Sequence, residues 1–257
     1  MNYILKQLSI GYGGRAICPP LAVTLREGQL CCLLGPNGAG KSTLLRTLAG
    51  FQPALAGERW LDDTDADRCT AAELSRLVGV VLTERVDMQN LTVEQLVALG
   101  RSPYTNFWGR LTPHDHEAVA HALHLTGIAP LRHRQVSTLS DGERQKAMIA
   151  KALAQGTPII LLDEPTAFLD FPSKADALLL LRRLCREMGK TVLLSTHDID
   201  LALQTADCLW LMAPAAPLLT GSPRQLAANG TLARFFQGKH IRFDSQNLHF
   251  HIEESVS

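Results

Sequence analysis

The sequence predicts an α/β fold: a mixed, largely parallel sheet with an inserted α-helical subdomain and a small C-terminal extension. Three observations carry this expectation. Five short apolar runs end in polar residues: QLCCLLG (29–35), VGVVLT (78–83), PIILLDE (158–164), TVLLSTH (191–197) and CLWLMA (208–213). Such runs fit strands buried on both faces of a helix-covered parallel sheet, although a short buried helix has the same periodicity. Helical patterns lie between them, such as KSTLLRTLAG and DALLLLRRLCREMG, the latter stopped by Gly189 in the manner of a C-terminal cap. The alternation then breaks between about 90 and 155, where TVEQLVALGR, DHEAVAHALHLTG and ERQKAMIAKALAQG all read helical.

The expected organisation is a core of residues 1–89 and 156–220, a helical subdomain of residues 90–155, and an extension of residues 221–257. In the extension, GSPRQLAANGTLARFF reads as a helix and IRFDSQNLHFHI alternates like a small hairpin or edge strand. A chain of 257 residues is long enough for this plan.

Lys plus Arg equals Asp plus Glu at 25 each, so the formal charge is zero and no footprint for nucleic acid or an anionic surface is expected. The six cysteines, at 18, 31, 32, 69, 185 and 208, form no CxxC pair and read as the reduced thiols of a cytosolic protein. The N-terminus MNYILKQLSIGYGG lacks the parts of a signal peptide, and eighteen apolar residues never run together. The chain is therefore expected neither to cross nor to enter a membrane by itself.

Between the first apolar run and the first helical pattern lies GPNGAGKST, residues Gly35, Pro36, Asn37, Gly38, Ala39, Gly40, Lys41, Ser42 and Thr43. GxxxxGK[ST] between a strand and a helix is a P-loop, so the expected core is that of a P-loop NTPase. Its backbone N–H groups turn toward phosphates, Lys41 neutralises the β and γ phosphates, and the Ser42 hydroxyl can ligate magnesium. Asp163 ends a second apolar run and would hold magnesium at the same sheet edge, while Glu164 could orient and deprotonate an attacking water. His197 ends a third run and could polarise or sense the γ-phosphate there. A nucleotide bearing a γ-phosphate and Mg2+ are the expected ligands.

A second glycine turn, LSDGERQ (139–145), precedes another helical stretch. Ser140 and Glu143 form an ordinary capping box, as do Thr92 and Gln95. A helix N-terminus there has an affinity for phosphate, but this reading supplies no phosphate for it.

GPNGAGKST, LSDGERQ, ILLDEPTAFLD and STHD, in that order and spacing, resemble the ATP-binding subunit of an ATP-binding cassette (ABC) transporter over roughly residues 1–215. The resemblance implies that the signature turn, with Ser140 and Gly142, binds the γ-phosphate of ATP held by a second, head-to-tail copy. It further implies Tyr12 as the adenine-stacking aromatic, Asp170 as a carboxylate communicating across the dimer, Glu164 as catalytic base and His197 as switch histidine. Two membrane-spanning permease subunits, and through them a substrate-binding protein, are the implied partners. The implied location is the cytoplasmic face of the membrane, reached through the permease. Where the family usually carries a glutamine before the helical subdomain, this chain reads Thr83 and Glu84, whose oxygens could both ligate magnesium. The stretch LTVEQLVALGRSPY (91–104) resembles the importers of ferric siderophores, haem and cobalamin. Two rival readings are a soluble ABC-type ATPase scaffold, as in iron-sulfur cluster assembly, and a nucleic-acid-associated ABC ATPase. The second is disfavoured by the single cassette and the zero formal charge. Histidines 114, 116, 121 and 124, with Glu117, read as a solvated helix face rather than a metal site.

Overall fold

The computed structural model describes residues 1–82, 90–106, 108–237, 241–245 and 247–252. Thr83 and Glu84 lie outside the described residues. Along the chain come β1 (Tyr3–Ser9), the small ribbon β2 (Gly11–Tyr12) and β3 (Arg15–Ala16), then β4 (Leu21–Leu25), β5 (Leu30–Leu34) and α1 (Lys41–Leu48). Next are β6 (Ala56–Leu61), β7 (Thr64–Asp65), α2 (Ala71–Leu77) and β8 (Val78–Val81). The helical insertion holds α3 (Val93–Ala98), a 3-10 segment at Leu99–Tyr104, α4 (Pro113–Leu125) and α5 (Asp141–Ala154). The chain returns through β9 (Ile159–Leu162), α6 (Phe171–Met188), β10 (Thr191–Ser195), α7 (Ile199–Thr205), β11 (Cys208–Leu211) and β12 (Leu219–Gly221). It closes with α8 (Pro223–Ala228), α9 (Thr231–Phe235) and the hairpin β13 (Ile241–Asp244) and β14 (His249–Ile252).

Among the described residues the central sheet runs β12-β11-β5-β10-β9-β8, parallel except for the edge strand β12. All five apolar runs are strands of this sheet. They are apolar throughout because both faces are covered: on β5, Cys32 and Leu34 enter one core cluster while Cys31 and Leu33 enter another. The first cluster joins the sheet to the helical insertion, α6 and α7. The second joins it to α1 and to an antiparallel sheet ordered β4-β1-β6-β7.

That antiparallel sheet has no counterpart in the expected elements. Its strands are half exposed and interrupted by a register shift between Leu5 and Leu8, so they lack an apolar run of the kind that marks the parallel strands. Tyr3, fully buried, ties it to α1 by donating its hydroxyl to the Leu48 carbonyl oxygen at 2.7 Å. Helix α6 begins at Phe171, ahead of the expected pattern, because the Asp170 side chain accepts from the Ser173 N–H at 3.1 Å and Pro172 fits the first turn. It ends at Gly189, which takes the left-handed conformation at φ 62.

The segment VALGRSP is an assembly point of the helical insertion. Gly100 passes so close to α5 that a Cβ would lie 2.2 Å from the Lys151 carbonyl oxygen. Arg101 is sealed behind it: its Nε donates to Asp115 at 2.7 Å, its Nη1 donates to the Ala154 carbonyl oxygen at 2.8 Å, and it stacks 4.0 Å from the Tyr104 ring. Asp115 also closes the α4 capping box, accepting from the Thr112 hydroxyl and N–H at 2.7 and 2.8 Å. Thr112 first, then Arg101, hold the Asp115 carboxyl well below the usual carboxylate range.

At the C-terminus the hairpin that the alternation predicts is present. Phe243 and Phe250 pair at 4.7 Å between ring centroids, and Phe250 meets Phe236 at 5.4 Å in an edge-on contact, so the hairpin docks on the end of α9. The extension contains two short helices, α8 and α9, because Gly230 at φ 71 interrupts the expected single helix.

Removing one partner of a buried ion pair leaves the other uncompensated, so Arg101→Ala should lower the unfolding free energy by about 3–5 kcal/mol in denaturant titrations. Asp115 has a depressed folded pKa. Its contribution is therefore complete above the unfolded carboxylate value of about 4 and is lost as pH falls through the folded value. Asp115→Asn should accordingly lose stability at neutral pH and show a shallower decline on acidification; an acid decline as steep as the wild type's would exclude Asp115 as its source.

Candidate functional site

In the sheet β5, β10 and β9 are consecutive parallel neighbours, so their C-terminal ends open on one edge. The P-loop leaves β5, Asp163 and Glu164 leave β9, and the segment to His197 leaves β10. This is the position where open α/β sheets bind ligands.

The P-loop wraps against the end of β11. A Cβ on Gly35 would lie 2.0 Å from the Met212 carbonyl oxygen, so no side chain fits there. Gly40 caps α1 at φ 101, a left-handed conformation that glycine tolerates, and α1 has no acidic residue in its first turn. The N–H groups at that terminus are thereby left for an anion. Lys41 lies along the loop, its Nζ donating to the carbonyl oxygens of Gly35 and Pro36 at 2.8 and 3.2 Å. Burial lowers its pKa, while the charges of Glu164 and Asp163 act in the opposite sense.

Opposite the loop, one serine organises two carboxylate residues. Ser195 is fully buried; its hydroxyl donates to Asp163 Oδ1 at 2.7 Å and accepts from the Glu164 N–H at 2.8 Å. Glu164 adopts φ 46, an uncommon conformation for a residue with a side chain, as the chain turns off β9. Its Oε1 lies 2.7 Å from His197 Nε2, so the two residues expected to act on the γ-phosphate are already in contact. Asp198 anchors the histidine turn, accepting from Thr166 at 3.2 Å and Lys174 at 3.0 Å while its own N–H donates to Thr196. The sequence reading did not single out Ser195 or Asp198. Ser195 was legible, since it lies two residues before His197 on the same run, and alternate strand residues share a face.

Magnesium needs hard oxygen donors. The Ser42 hydroxyl near the start of α1 and the Asp163 carboxylate, steadied by Ser195, are oxygen donors of the kind that would fit the ion.

Tyr12, on β2, leaves 57% of its surface exposed and receives a hydrogen bond from the Thr43 hydroxyl at 3.2 Å, which holds its ring beside the P-loop. In the signature turn Ser140 and Asp141 are exposed, Leu139 is buried, and Gly142, Glu143, Arg144 and Gln145 are half-buried. Ser140 and Glu143 form the expected capping box of α5, and Gly142 lies against α6, where a Cβ would meet Ser173 Oγ at 3.1 Å. Asp170 is likewise exposed and caps α6. The hydrogen bonds of Ser140 and Asp170 thus serve their own helices.

The sequence profile described as ABC transporter matches residues 19–167, more than half of the chain. The chain belongs to the ABC transporter family. The ferric enterobactin transport ATP-binding protein of Escherichia coli K12 is 37% identical over 231 residues, covering 90% of this chain and 85% of that protein. The iron(3+)-hydroxamate import ATP-binding protein of Bacillus subtilis 168 is 34% identical, covering 90% and 86%. Among solved structures, an inward-facing conformation of a transporter described as metal-chelate type superposes with a TM-score of 0.80 at 26% identity, covering 97% of this chain and 95% of that one. This chain is thus an ABC ATPase subunit, and the P-loop, the Asp163–Glu164 pair and the signature turn occupy the elements that the motifs required.

Ser195→Ala removes the hydroxyl that positions Asp163 and Glu164. It is expected to slow ATP turnover by about 10- to 100-fold and to raise the magnesium concentration needed for half-maximal rate. Ser195→Thr should restore much of both. A magnesium titration that is unchanged in Ser195→Ala would show that the hydroxyl has no positioning role.

Proposed function

We propose that this subunit works as a head-to-tail dimer around two ATP molecules and drives two permease subunits at the cytoplasmic face of a membrane. The proposed cargo is a metal chelate of the ferric siderophore, haem or cobalamin class, delivered by a substrate-binding protein. The observation that carries the reading is the contact of Glu164 with His197 beside the P-loop, in a chain whose relatives are named for ferric siderophore and cobalamin import. Ser140 and Asp141, exposed in the signature turn, and Phe168 and Phe171, at 59% and 68% exposure on either side of Asp170, suit a surface that a second copy covers. A related cassette has been described in a dimeric structure. No helix among the described residues is long and apolar enough to cross a membrane, so a spanning pathway would come from partner chains.

In this mechanism the P-loop amides and Lys41 hold the β and γ phosphates, and Tyr12 stacks on the adenine. Ser42 and Asp163 would hold magnesium, with Thr83 and Glu84 as further candidate oxygen donors, and the ion would supply neutralisation of phosphate charge. Glu164 accepts a proton from the attacking water, and His197 orients that carboxylate and faces the γ-phosphate. Ser140 and Gly142 of the partner copy close on the same γ-phosphate, with Asp170 relaying across the interface. ATP therefore favours the closed dimer, and its hydrolysis removes the bridging group and reopens it.

Glu164→Gln should retain ATP binding while turnover falls by about 100- to 10,000-fold, as measured by nucleotide affinity and phosphate release in the assembled transporter. Substantial retained turnover would remove Glu164 from the base role. Affinity purification from native membranes should recover a polytopic permease; recovery of soluble partners alone would favour the scaffold reading.

A further inference from the structure

Two cysteines on neighbouring strands form a site that the ATPase reaction does not use. Cys208 opens β11 and Cys31 lies on β5, and the two are direct register partners in a parallel pair. Register partners in a parallel ladder point to the same face. Adjacent strands lie about 4.8 Å apart, within the Cα separation of about 4.4–6.8 Å that a disulfide spans. Both side chains therefore stand side by side on one face of the sheet.

The two sulfurs differ in access and in surroundings. Cys31 is fully buried. Cys208 is partly exposed and lines a groove of about 590 Å3 with Arg26, Asp207, Trp210, Thr220 and Gln225, between the antiparallel sheet and the edge of the central one. Arg26, Trp210 and Gly221 line the same groove beside Cys208. The Cys208 thiol donates weakly to the Leu209 carbonyl oxygen at 3.7 Å.

The geometry points to Cys208 and Cys31 as a dithiol site for exchange with low-molecular-weight disulfides, with Cys208 as the attacking sulfur and Cys31 as the resolving one. The Cys208 thiolate attacks one sulfur of RS–SR, forming Cys208–S–SR and releasing RS⁻. The Cys31 thiol then attacks the Cys208 sulfur and displaces the second RS⁻. The Cys31–Cys208 bond forms, both thiol protons end on two RSH, and the reagent is the oxidant. The ordering of reactivity agrees with the electrostatics. The Cys31 hydrogen bond first, then Gly221, Arg26 and Trp210, lower the Cys208 pKa against burial, whereas Cys18, Cys31, Cys32, Cys69 and Cys185 are all raised, burial being the largest cause. Closure would brace β5 against β11 on the strand that feeds the P-loop.

The test treats the intact, reduced protein with 4,4′-dithiodipyridine under native conditions. A fast phase should release two thiopyridones per chain, leave no adduct mass, and yield a non-reduced digest linking the Cys31 and Cys208 peptides. Cys31→Ala should stop at one thiopyridone with a persistent adduct on Cys208, and Cys208→Ser should react at least about tenfold more slowly. A fast phase located at Cys69 or any other cysteine, or a stable Cys208 adduct in the wild-type chain, would overturn the assignment; both outcomes are read on unmutated protein.

Discussion

Three strands in one order, β5 beside β10 beside β9, constrain everything that the site does. Because the pairs are parallel, the chain leaves all three at the same edge, and the P-loop, the Asp163–Glu164 pair and His197 arrive together without a long loop. Parallel neighbours need crossovers, and the crossovers supply the helices that bury both faces. The sheet's continuous apolar runs and the polar residues at their ends are thus two sides of one arrangement. Burial fixes the register, and the register decides where each polar group emerges.

Ser195 turns that coarse placement into a working geometry. A fully buried hydroxyl needs partners, and it finds them on the neighbouring strand's exit, in Asp163 and in the N–H of Glu164. The turn at Glu164 then directs its carboxylate to His197. Asp198, held by Thr166 and Lys174, keeps the histidine turn joined to α6, the helix capped by Asp170. The histidine turn at the sheet edge is thus tied to α6 through the Asp198–Lys174 contact.

The helical insertion carries the signature turn at the start of α5, with Gly142 against α6. Its close approaches are Gly100 against α5 and the sealed Arg101–Asp115 pair, with α4 capped by the same aspartate. The V-x-x-G-R-x-P segment that suggested kinship with chelate importers thus has a local physical reason for its glycine and arginine. Conversely, the C-terminal hairpin, whose alternating pattern carried no partner in the sequence, packs its phenylalanines on the end of α9.

What the sequence determined by itself was whatever depends on short-range pattern: the five parallel strands from their apolar runs, the capping boxes at Thr92 and Ser140, and the P-loop from its fixed spacing. These are set by side-chain periodicity and backbone conformation within a few residues, and are readable without knowing the neighbours. The antiparallel sheet escaped that reading because its strands are half exposed and irregular in register, and only docking through Tyr3 and the second core cluster gives them their place. Likewise, the meeting of Ser195 with Asp163, Arg101 with Asp115, and Cys31 with Cys208 joins residues far apart in the chain. The tertiary structure alone decided those pairs, because strand order and helix packing bring distant groups within hydrogen-bonding reach and no local pattern encodes which strand lies beside which.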